Sequence, residues 1–303
     1  MTGFLAVLYY ELLWNIRKKK MIGLFILVFV IVTLFIGLPP LLDYINGQTL
    51  TSNPNTVSDF FSRLSGIFLF LIGVATTMNT ISGEFETGSI TPLLTKPVSK
   101  NTVFVAKIAA SILTLLAIYA FLTVYVIAAA LVIQGPQTNL QLAPLGLVGL
   151  TVATMVWASI VLLLGTISKS SLVSALGSFG VYIGVTIAGA ILGSVYGQTA
   201  ILFYAPGQGA TGSTGVCGGE GTTFSTGTDN LGYLLIQLVL NPKTVLNYCG
   251  VRFRGAASEL FISSSGTIAD AAIRALEVSV AYVVVLLVAS WYAFRRSQII
   301  ESA

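Results

Sequence analysis

Residues 102–134 read TVFVAKIAASILTLLAIYAFLTVYVIAAALVIQ, an apolar run in which Lys107 is the one charged side chain. A helix of this length would extend about 50 Å, whereas the hydrocarbon core of a bilayer is only about 30 Å thick. The run therefore predicts a transmembrane helix whose first turns, near Lys107, project beyond the hydrocarbon core. Gly135 and Pro136 follow directly and predict its end.

The whole chain has the composition of a membrane protein. Of its 303 residues, 55% are hydrophobic and 9% are charged, and the mean hydropathy is +0.91. Because so few polar side chains cannot cover a water-soluble surface of this size, we expect membrane lipid to contact the apolar side chains. The net charge is +4, but the basic residues flank apolar runs, so we expect no nucleic-acid partner.

Five further apolar runs accompany the long one, and together they predict an all-α membrane protein with six transmembrane helices in a single domain. Pro39 and Pro40 are expected to close the first helix. The fifth contains glycines at 177, 180, 184 and 189, which allow close helix contact and indicate ordinary packing. The predicted spans are 21–42, 64–82, 102–134, 145–167, 172–196 and 269–294.

The distribution of basic residues predicts the orientation of the chain. On this topology ten Lys and Arg residues fall on the inner side and five on the outer side. Since short inner loops carry the excess of positive charge in membrane proteins, we expect both termini in the cytoplasm. The expected location is a cell membrane, with the chain as a multi-pass protein.

The first sixteen residues predict an amphipathic helix that lies along the inner membrane surface. Its polar face carries Glu11 and Asn15. The alternative is a helix continuous with the first span. The predicted apolar face consists of Phe4, Leu5, Leu8, Leu12 and Leu13.

A large extracellular loop, residues 197–267, is predicted between the fifth and sixth spans. Its glycine-rich part favours irregular backbone. It holds the two cysteines of the chain, Cys217 and Cys249, which an oxidising exterior would join in a disulfide, the alternative being two free thiols. Residues 231–240 predict a short helix, too short to cross, packed at the membrane surface.

Several kinds of chemistry are excluded by missing residues. The chain has no histidine, so it cannot form a Ser-His-Asp triad, a Cys-His nucleophile or a His-Glu-x-x-His metal site. We therefore predict no catalytic residues, no metal site and no cofactor in this chain. It also lacks a Gly-x-x-x-x-Gly-Lys-Ser/Thr loop, so any use of ATP requires a partner chain.

Four polar residues in the second span are candidates for lining a pathway through the membrane. The alternative is that they form hydrogen bonds between helices. These residues are Thr76, Thr77, Asn79 and Thr80.

The segment after the second span carries a recognisable motif. Residues 81–90 read ISGEFETGSI, paired leucines follow at 93 and 94, and residues 96–100 read KPVSK. Together with Lys107, this pattern resembles that of the type-2 ABC exporter permeases. The residues that match are Glu84, Glu86, Gly88, Ser89, Leu93, Leu94, Pro97, Ser99 and Lys107.

The resemblance implies a permease subunit of an ATP-binding cassette exporter. Such a subunit pairs with a second copy of itself or a sister permease, and with two ATP-binding cassette subunits that bind ATP and Mg. It also implies that residues 83–100 form a cytoplasmic coupling segment, with a second contact in the inner loop after the fourth span. The implied coupling residues are Glu84, Phe85, Glu86, Thr87, Gly88, Pro92, Leu93, Leu94, Pro97, Ser168 and Lys169.

Two other classes of function remain open. An ATP-independent secondary transporter or channel would favour broken helices or charged groups along a pathway. A membrane scaffold protein would need no coupling segment. The outer loop also departs from the family, since many relatives have short re-entrant helices there. The substrate is not indicated by the sequence.

Overall fold

A computed structural model describes residues 3–17, 19–47, 52–88, 99–195, 197, 200–207, 209–254 and 257–296 of the chain. Within these ranges the α-helices are α1 (Gly3–Arg17), α2 (Lys19–Ile45), α3 (Thr56–Arg63), α4 (Ile67–Thr77), α5 (Ser82–Thr87), α6 (Lys100–Ile133), α7 (Ala143–Ser168), α8 (Ser171–Val195), α9 (Leu231–Leu240) and α10 (Ile268–Arg296). The strands are β1 (Thr211–Ser213), β2 (Thr223–Ser225), β3 (Val245–Arg254) and β4 (Ala257–Thr267). Short 3-10 helices cover Leu140–Leu142, Ala200–Tyr204 and Thr228–Asn230.

The described residues include six helical segments long and apolar enough to cross a membrane, which confirms the predicted number of spans. The chain is a multi-pass membrane protein. The segments are Val28–Ile45, Ile67–Thr87, Lys100–Ile133, Leu140–Ser168, Ser171–Ser194 and Ile268–Arg296.

The two ends of the helix bundle differ in content. At one end, Trp291 near the end of α10 donates a hydrogen bond from Nε1 to Asn101 Oδ1, 3.1 Å away, at the start of α6. We call this the Lys107 end. At the other end, α10 begins directly after β4, and we call this the sheet end.

The amino-terminal helix α1 packs against α6 with the face that was predicted to be polar and outward. Glu11 and Asn15 are each only 4% exposed, and Asn15 Nδ2 donates to Thr114 Oγ1 at 3.3 Å. Tyr9 and Trp14 point away from the bundle, at 61% and 52% exposed. The polar side chains turn inward because the bundle supplies partners that lipid does not have. Whether α1 and α2 are continuous depends on residue 18, which lies outside the described residues.

Helix α2 continues through Pro39 and Pro40 to Ile45, so the prediction that these prolines close the helix was wrong. Two successive prolines remove two helical N–H donors, but the φ angle fixed by the proline ring is itself helical. The helix therefore continues past the prolines although it loses hydrogen bonds locally.

The second predicted span, 64–82, is not one regular helix. Helix α4 ends at Thr77, turns follow over residues 78–81, and the short α5 begins at Ser82. Threonine hydroxyls in this segment bond back to carbonyl groups of the preceding turn, a pattern that bends helices. The segment that precedes α4 contains the helix α3, which buries Phe60 and Phe61.

Helix α7 lies at the centre of the bundle, and 72% of the residues in its apolar 18-residue stretch are buried. It packs against α4, α8, α9 and α10. A Cβ atom added at Gly149 would come within 2.6 Å of the Cα of Gly232 in α9, so glycine is required at this crossing. The prediction of a helix at 231–240 was right, and the helix packs on α7 with Leu231 and Leu234 fully buried.

Among the candidate spans in the described part of the chain, helix α8 is the least covered by other helices. Only 11% of the residues in its apolar 18-residue stretch are buried. A Cβ atom added at Gly180, Gly184 or Gly189 would meet no atom within 4 Å. At Gly177 a Cβ atom would lie 3.3 Å from Leu164, so the expected close contact is present there. Gly180 and Gly184 share one open face of α8, whereas Gly189 lies on the opposite side of the helix.

The predicted all-α fold is wrong for the outer segment. Residues described between 211 and 267 include an antiparallel sheet of order β2-β1-β3-β4, with β3 and β4 paired along their whole length. A disulfide joins Cys217, between β1 and β2, to Cys249 on β3. The sheet turns Leu246 and Tyr248 inward, and both are buried. Pairing satisfies backbone groups that an irregular loop would have left to solvent, which explains the regular structure.

Candidate functional site

A buried ionic cluster links three helices at the Lys107 end. The ammonium group of Lys107 on α6 lies 2.5 Å from Glu11 Oε1 on α1 and 2.6 Å from Glu84 Oε1 on α5. The Lys107 side chain is 1% exposed, that of Glu11 5% and that of Glu84 19%. We call these three residues the Lys107 cluster. In it, two carboxylates share one ammonium group.

Helix α5 is tied to a second helix by its next carboxylate. Glu86 Oε1 accepts a hydrogen bond of 2.7 Å from the backbone N–H of Ser171, the first residue of α8. A carboxylate at this position accepts a backbone N–H that has no partner within the helix, and its negative charge interacts favourably with the positive end of the α8 dipole. The Ser82 and Ser171 hydroxyls also lie 3.2 Å apart. Glu84 and Glu86 therefore fasten α5 to different helices.

The aromatic side chain between the two carboxylates completes the attachment. Phe85 packs edge-on against Phe294 of α10, with ring centroids 6.4 Å apart. On its other side the ammonium group of Lys169 lies 5.6 Å from the ring centroid, a cation–π distance. Lys169 has a φ of 55°, which ends α7 and allows α8 to start two residues later.

The predicted coupling residues fall into two groups. The structure brings Glu84, Phe85 and Glu86 together with the connection at Ser168 and Lys169, whereas Thr87 and Gly88 are exposed at the end of α5. Gly88 has a φ of 68°, which suits glycine and terminates the helix. The other predicted coupling residues lie outside the described residues. They are Pro92, Leu93, Leu94 and Pro97.

The four pathway candidates lie around the end of α4. Thr76, Thr77 and Thr80 are buried, and their hydroxyls donate to carbonyl groups of their own chain segment at 2.7 to 3.2 Å. Asn79 is half-buried, and its Oδ1 atom has no hydrogen-bond partner among the described residues. Their role in a pathway stays a prediction.

A further buried carboxyl group, at the sheet end, was not predicted. Asp229 is 1% exposed, and its Oδ1 accepts a hydrogen bond of 2.9 Å from Nε1 of Trp157 on α7. Burial raises the pKa of the Asp229 carboxyl from 3.8 to about 7, while the Trp157 N–H and the Gly66 backbone amide act in the opposite direction. In the sequence, Asp229 stands in a Gly- and Thr-rich stretch, 72 positions from Trp157, and nothing local marks it as buried.

Asp229 lines a cavity of about 220 Å³ between α7, α8 and the segment that leads from α8 into the sheet. Its other walls include Trp157 and Tyr182, whose ring centroids lie 5.2 Å apart. Gly207 has a φ of 102°, and a Cβ atom there would lie 3.1 Å from the Trp157 ring. Only glycine therefore allows the backbone to approach this wall so closely.

Within the described ranges, no group of three or more His, Cys, Asp or Glu side chains could hold a metal ion. The described part of the site thus consists of ion pairs, capping hydrogen bonds and aromatic contacts, which can fix the relative positions of helices.

Comparison with known proteins gives one finding that bears on these features. A family model described as "ABC-2 family transporter protein" matches residues 5–299. The match spans both the Lys107 cluster and the outer sheet. No curated protein matches the chain.

Proposed function

Because the chain belongs to the ABC-2 transporter family, we propose that it is the permease subunit of an ATP-driven exporter. In this proposal the chain has no catalytic residues, and two separate ATP-binding cassette subunits bind ATP and Mg and hydrolyse the nucleotide. The Lys107 end faces the cytoplasm of the cell, together with both termini, and the sheet end faces the exterior. The substrate enters from the cytoplasmic side.

The observation that carries this proposal is the double attachment of α5. Glu84 joins α5 to α1 and α6 through Lys107, and Glu86 joins it to the start of α8. A displacement of α5 by a docked partner would therefore act on three helices at once, because buried ion pairs and short hydrogen bonds transmit force between rigid elements. The exposed Thr87 and Gly88, together with Lys169, offer polar and backbone groups to such a partner.

The open face of α8 supports association with a second permease, either a copy of this chain or a sister chain. Small residues that face outward allow helices to approach closely in membranes. In the described chain Gly180 and Gly184, which share one face of α8, have no neighbour that a Cβ atom would meet. Pairing through α8 would place the two bundles about a central interface.

The test is ATP hydrolysis by the complex that co-purifies with the tagged chain after gentle detergent extraction from its native membrane. We compare wild type with Glu84→Ala plus Glu86→Ala, and with the matched control Glu220→Ala plus Glu259→Ala. The control removes the same charges from exposed positions at the sheet end. We expect ATPase activity with wild type and control, and an activity that is lost or no longer responds to substrate in the Glu84 and Glu86 variant.

Two results would contradict the proposal. If no ATPase follows the wild-type chain, an ATP-independent transporter or a scaffold is favoured instead. If the Glu84 and Glu86 variant co-purifies with an ATPase of unchanged rate and coupling, α5 is not the coupling element. Gel filtration of each variant establishes that it is folded before the comparison is made.

A further inference from the structure

We propose that the cavity beside Asp229 is a binding site for a small organic ammonium ion, with Asp229 as its counter-ion and Trp157 and Tyr182 as its aromatic walls. The site lies at the sheet end, away from α5 and the Lys107 cluster. The proposal concerns binding to this chain and does not depend on ATP-driven export.

The size of the cavity is suited to a small molecule. The cavity volume is about 220 Å³, compared with about 150 Å³ for a protein cavity known to take up benzene. Its walls come from three separate parts of the chain: Trp157 on α7, Tyr182 on α8, and the backbone around Gly207 before the sheet. A ligand there would contact all three and so would be recognised by shape as well as charge.

The carboxyl group gives the cavity its expected charge preference. Asp229 Oδ1 accepts the Trp157 N–H, and the Gly66 backbone amide also stabilises the ionised carboxyl. Oδ2 is buried and accepts no well-aligned hydrogen bond from a described residue. A Cβ atom at Gly207, which also lines the cavity, would lie 3.7 Å from Oδ2, which puts this oxygen at the cavity wall. Since a buried acceptor without a donor is costly, a ligand N–H at this point would be stabilised.

The described part of the chain supplies no cation of its own at this site. Its ion pairs both involve Lys107, at the other end of the bundle. Ionised Asp229 therefore has room for a positive charge from outside the chain. Burial disfavours the ionised form of the Asp229 carboxyl. A cation bound beside it would stabilise that form and so offset the effect of burial.

The remaining walls favour an organic cation over a metal ion. A metal cation such as Ca²⁺ requires six or more oxygen ligands, whereas the side chains lining the cavity supply one carboxylate and the hydroxyl groups of Tyr182, Thr186 and Thr211. The aromatic rings attract ammonium groups through their negative faces. Apolar groups of the ligand would lie against the aliphatic lining residues Val185, Ala190, Leu202 and Pro206.

The test measures binding of tert-butylammonium and its neutral isostere tert-butanol to the purified full-length chain in detergent, by calorimetry. We expect tert-butylammonium to bind at least about tenfold more tightly than tert-butanol to wild type. Asp229→Asn, which keeps the shape, should abolish this preference. Glu220→Gln, which removes an exposed carboxylate at the same end, should retain it.

Equal affinity for the two probes, absence of saturable binding by wild type, or an undiminished preference in Asp229→Asn would overturn the proposal. If Asp229→Asn does not fold, the wild-type comparison still decides, through the shift in melting temperature that each probe produces. No ATPase is present in this measurement, so its failure leaves the exporter proposal standing, and loss of co-purified ATPase leaves this one standing.

Discussion

The Lys107 end and the sheet end both bury carboxyl groups, but they give them different partners. At the Lys107 end, Glu11 and Glu84 share one ammonium group within 2.6 Å. At the sheet end, Asp229 has the N–H of Trp157 and, among the described residues, no cation. A carboxylate held by a buried cation links helices permanently, whereas one without a cation remains able to change its protonation or bind a ligand. Buried carboxyl groups thus hold helices together at one end, and at the other end a buried carboxyl group remains able to change its protonation or bind a ligand.

The largest expected effect tests fixation at the Lys107 end. Lys107→Met should destabilise the fold by about 3–5 kcal/mol, because it leaves two buried carboxylates without their common partner. The matched control Lys243→Met removes an exposed ammonium group at the sheet end and should change stability by less than about 0.5 kcal/mol. Denaturant unfolding in detergent measures both.

A triple variant sharpens the same comparison. Glu11→Gln with Glu84→Gln and Lys107→Met removes every charge of the cluster, so most of the lost stability should return. Equal stability of Lys107→Met and Lys243→Met would show that the cluster does not hold the helices together, and the contrast between the two ends would disappear.

The next largest effect concerns the sheet end, where protonation of Asp229 should make the stability of the fold depend on pH. The folded-state pKa of Asp229, raised to about 7 by burial, lies above its ordinary value of 3.8. The folded protein therefore binds a proton that the unfolded chain has released, so stability is greatest below the ordinary value and is lost as pH rises through the folded-state value. From pH 5 to pH 8 we expect wild type to lose roughly 2–3 kcal/mol relative to Asp229→Asn.

The measurement is the melting temperature of wild type, Asp229→Asn and Glu220→Gln across this pH range. Plots of melting temperature against pH should run parallel for wild type and Glu220→Gln, while the plot for Asp229→Asn should have the smaller slope. Parallel curves for wild type and Asp229→Asn would mean that Asp229 is already paired and that both ends bury their carboxyls in the same manner.

The smallest effect concerns the hydrogen bond between α5 and α8. Glu86→Ala removes the acceptor for the Ser171 N–H, so backbone amides in the first turn of α8 should exchange faster with deuterium. We expect little change in melting temperature, because Glu86 is exposed. Glu259→Ala serves as control, and unchanged exchange at residues 171–174 in Glu86→Ala would remove this link from the proposed coupling route.

Part of this fold could be predicted because lipid imposes a simple rule on sequence. Long apolar runs are required for spans, and the helices α6, α7 and α10 follow the predicted runs closely. The pairing of Cys217 with Cys249 was also predictable, since an oxidising exterior leaves two cysteines few alternatives. The motif around Glu84 and Lys107 marked a site through its resemblance to a family.

The remainder depends on contacts between distant residues. Helical periodicity separates the polar from the apolar face of α1, but it does not state which face meets lipid, and Glu11 turned inward because Lys107 lies there. Asp229 is buried because α7 brings Trp157 beside it. The strands β3 and β4 mix glycine and serine with apolar residues, so alternation gave no clear signal.

The separation of Glu11 from its partner has a consequence for how the chain is made. Lys107 is synthesised 96 residues after Glu11, which at ribosomal rates takes about 5–20 s. During that interval the cation that pairs with Glu11 in the folded chain has not yet been made, so we expect α1 to stay in the aqueous or headgroup region and to join the bundle only after α6 has emerged. A ribosome-bound chain stalled before residue 100 should accordingly leave a cysteine placed at Asn15, which is buried in the folded chain, open to a water-soluble thiol reagent, and protection of that cysteine in the stalled chain would contradict this order of assembly.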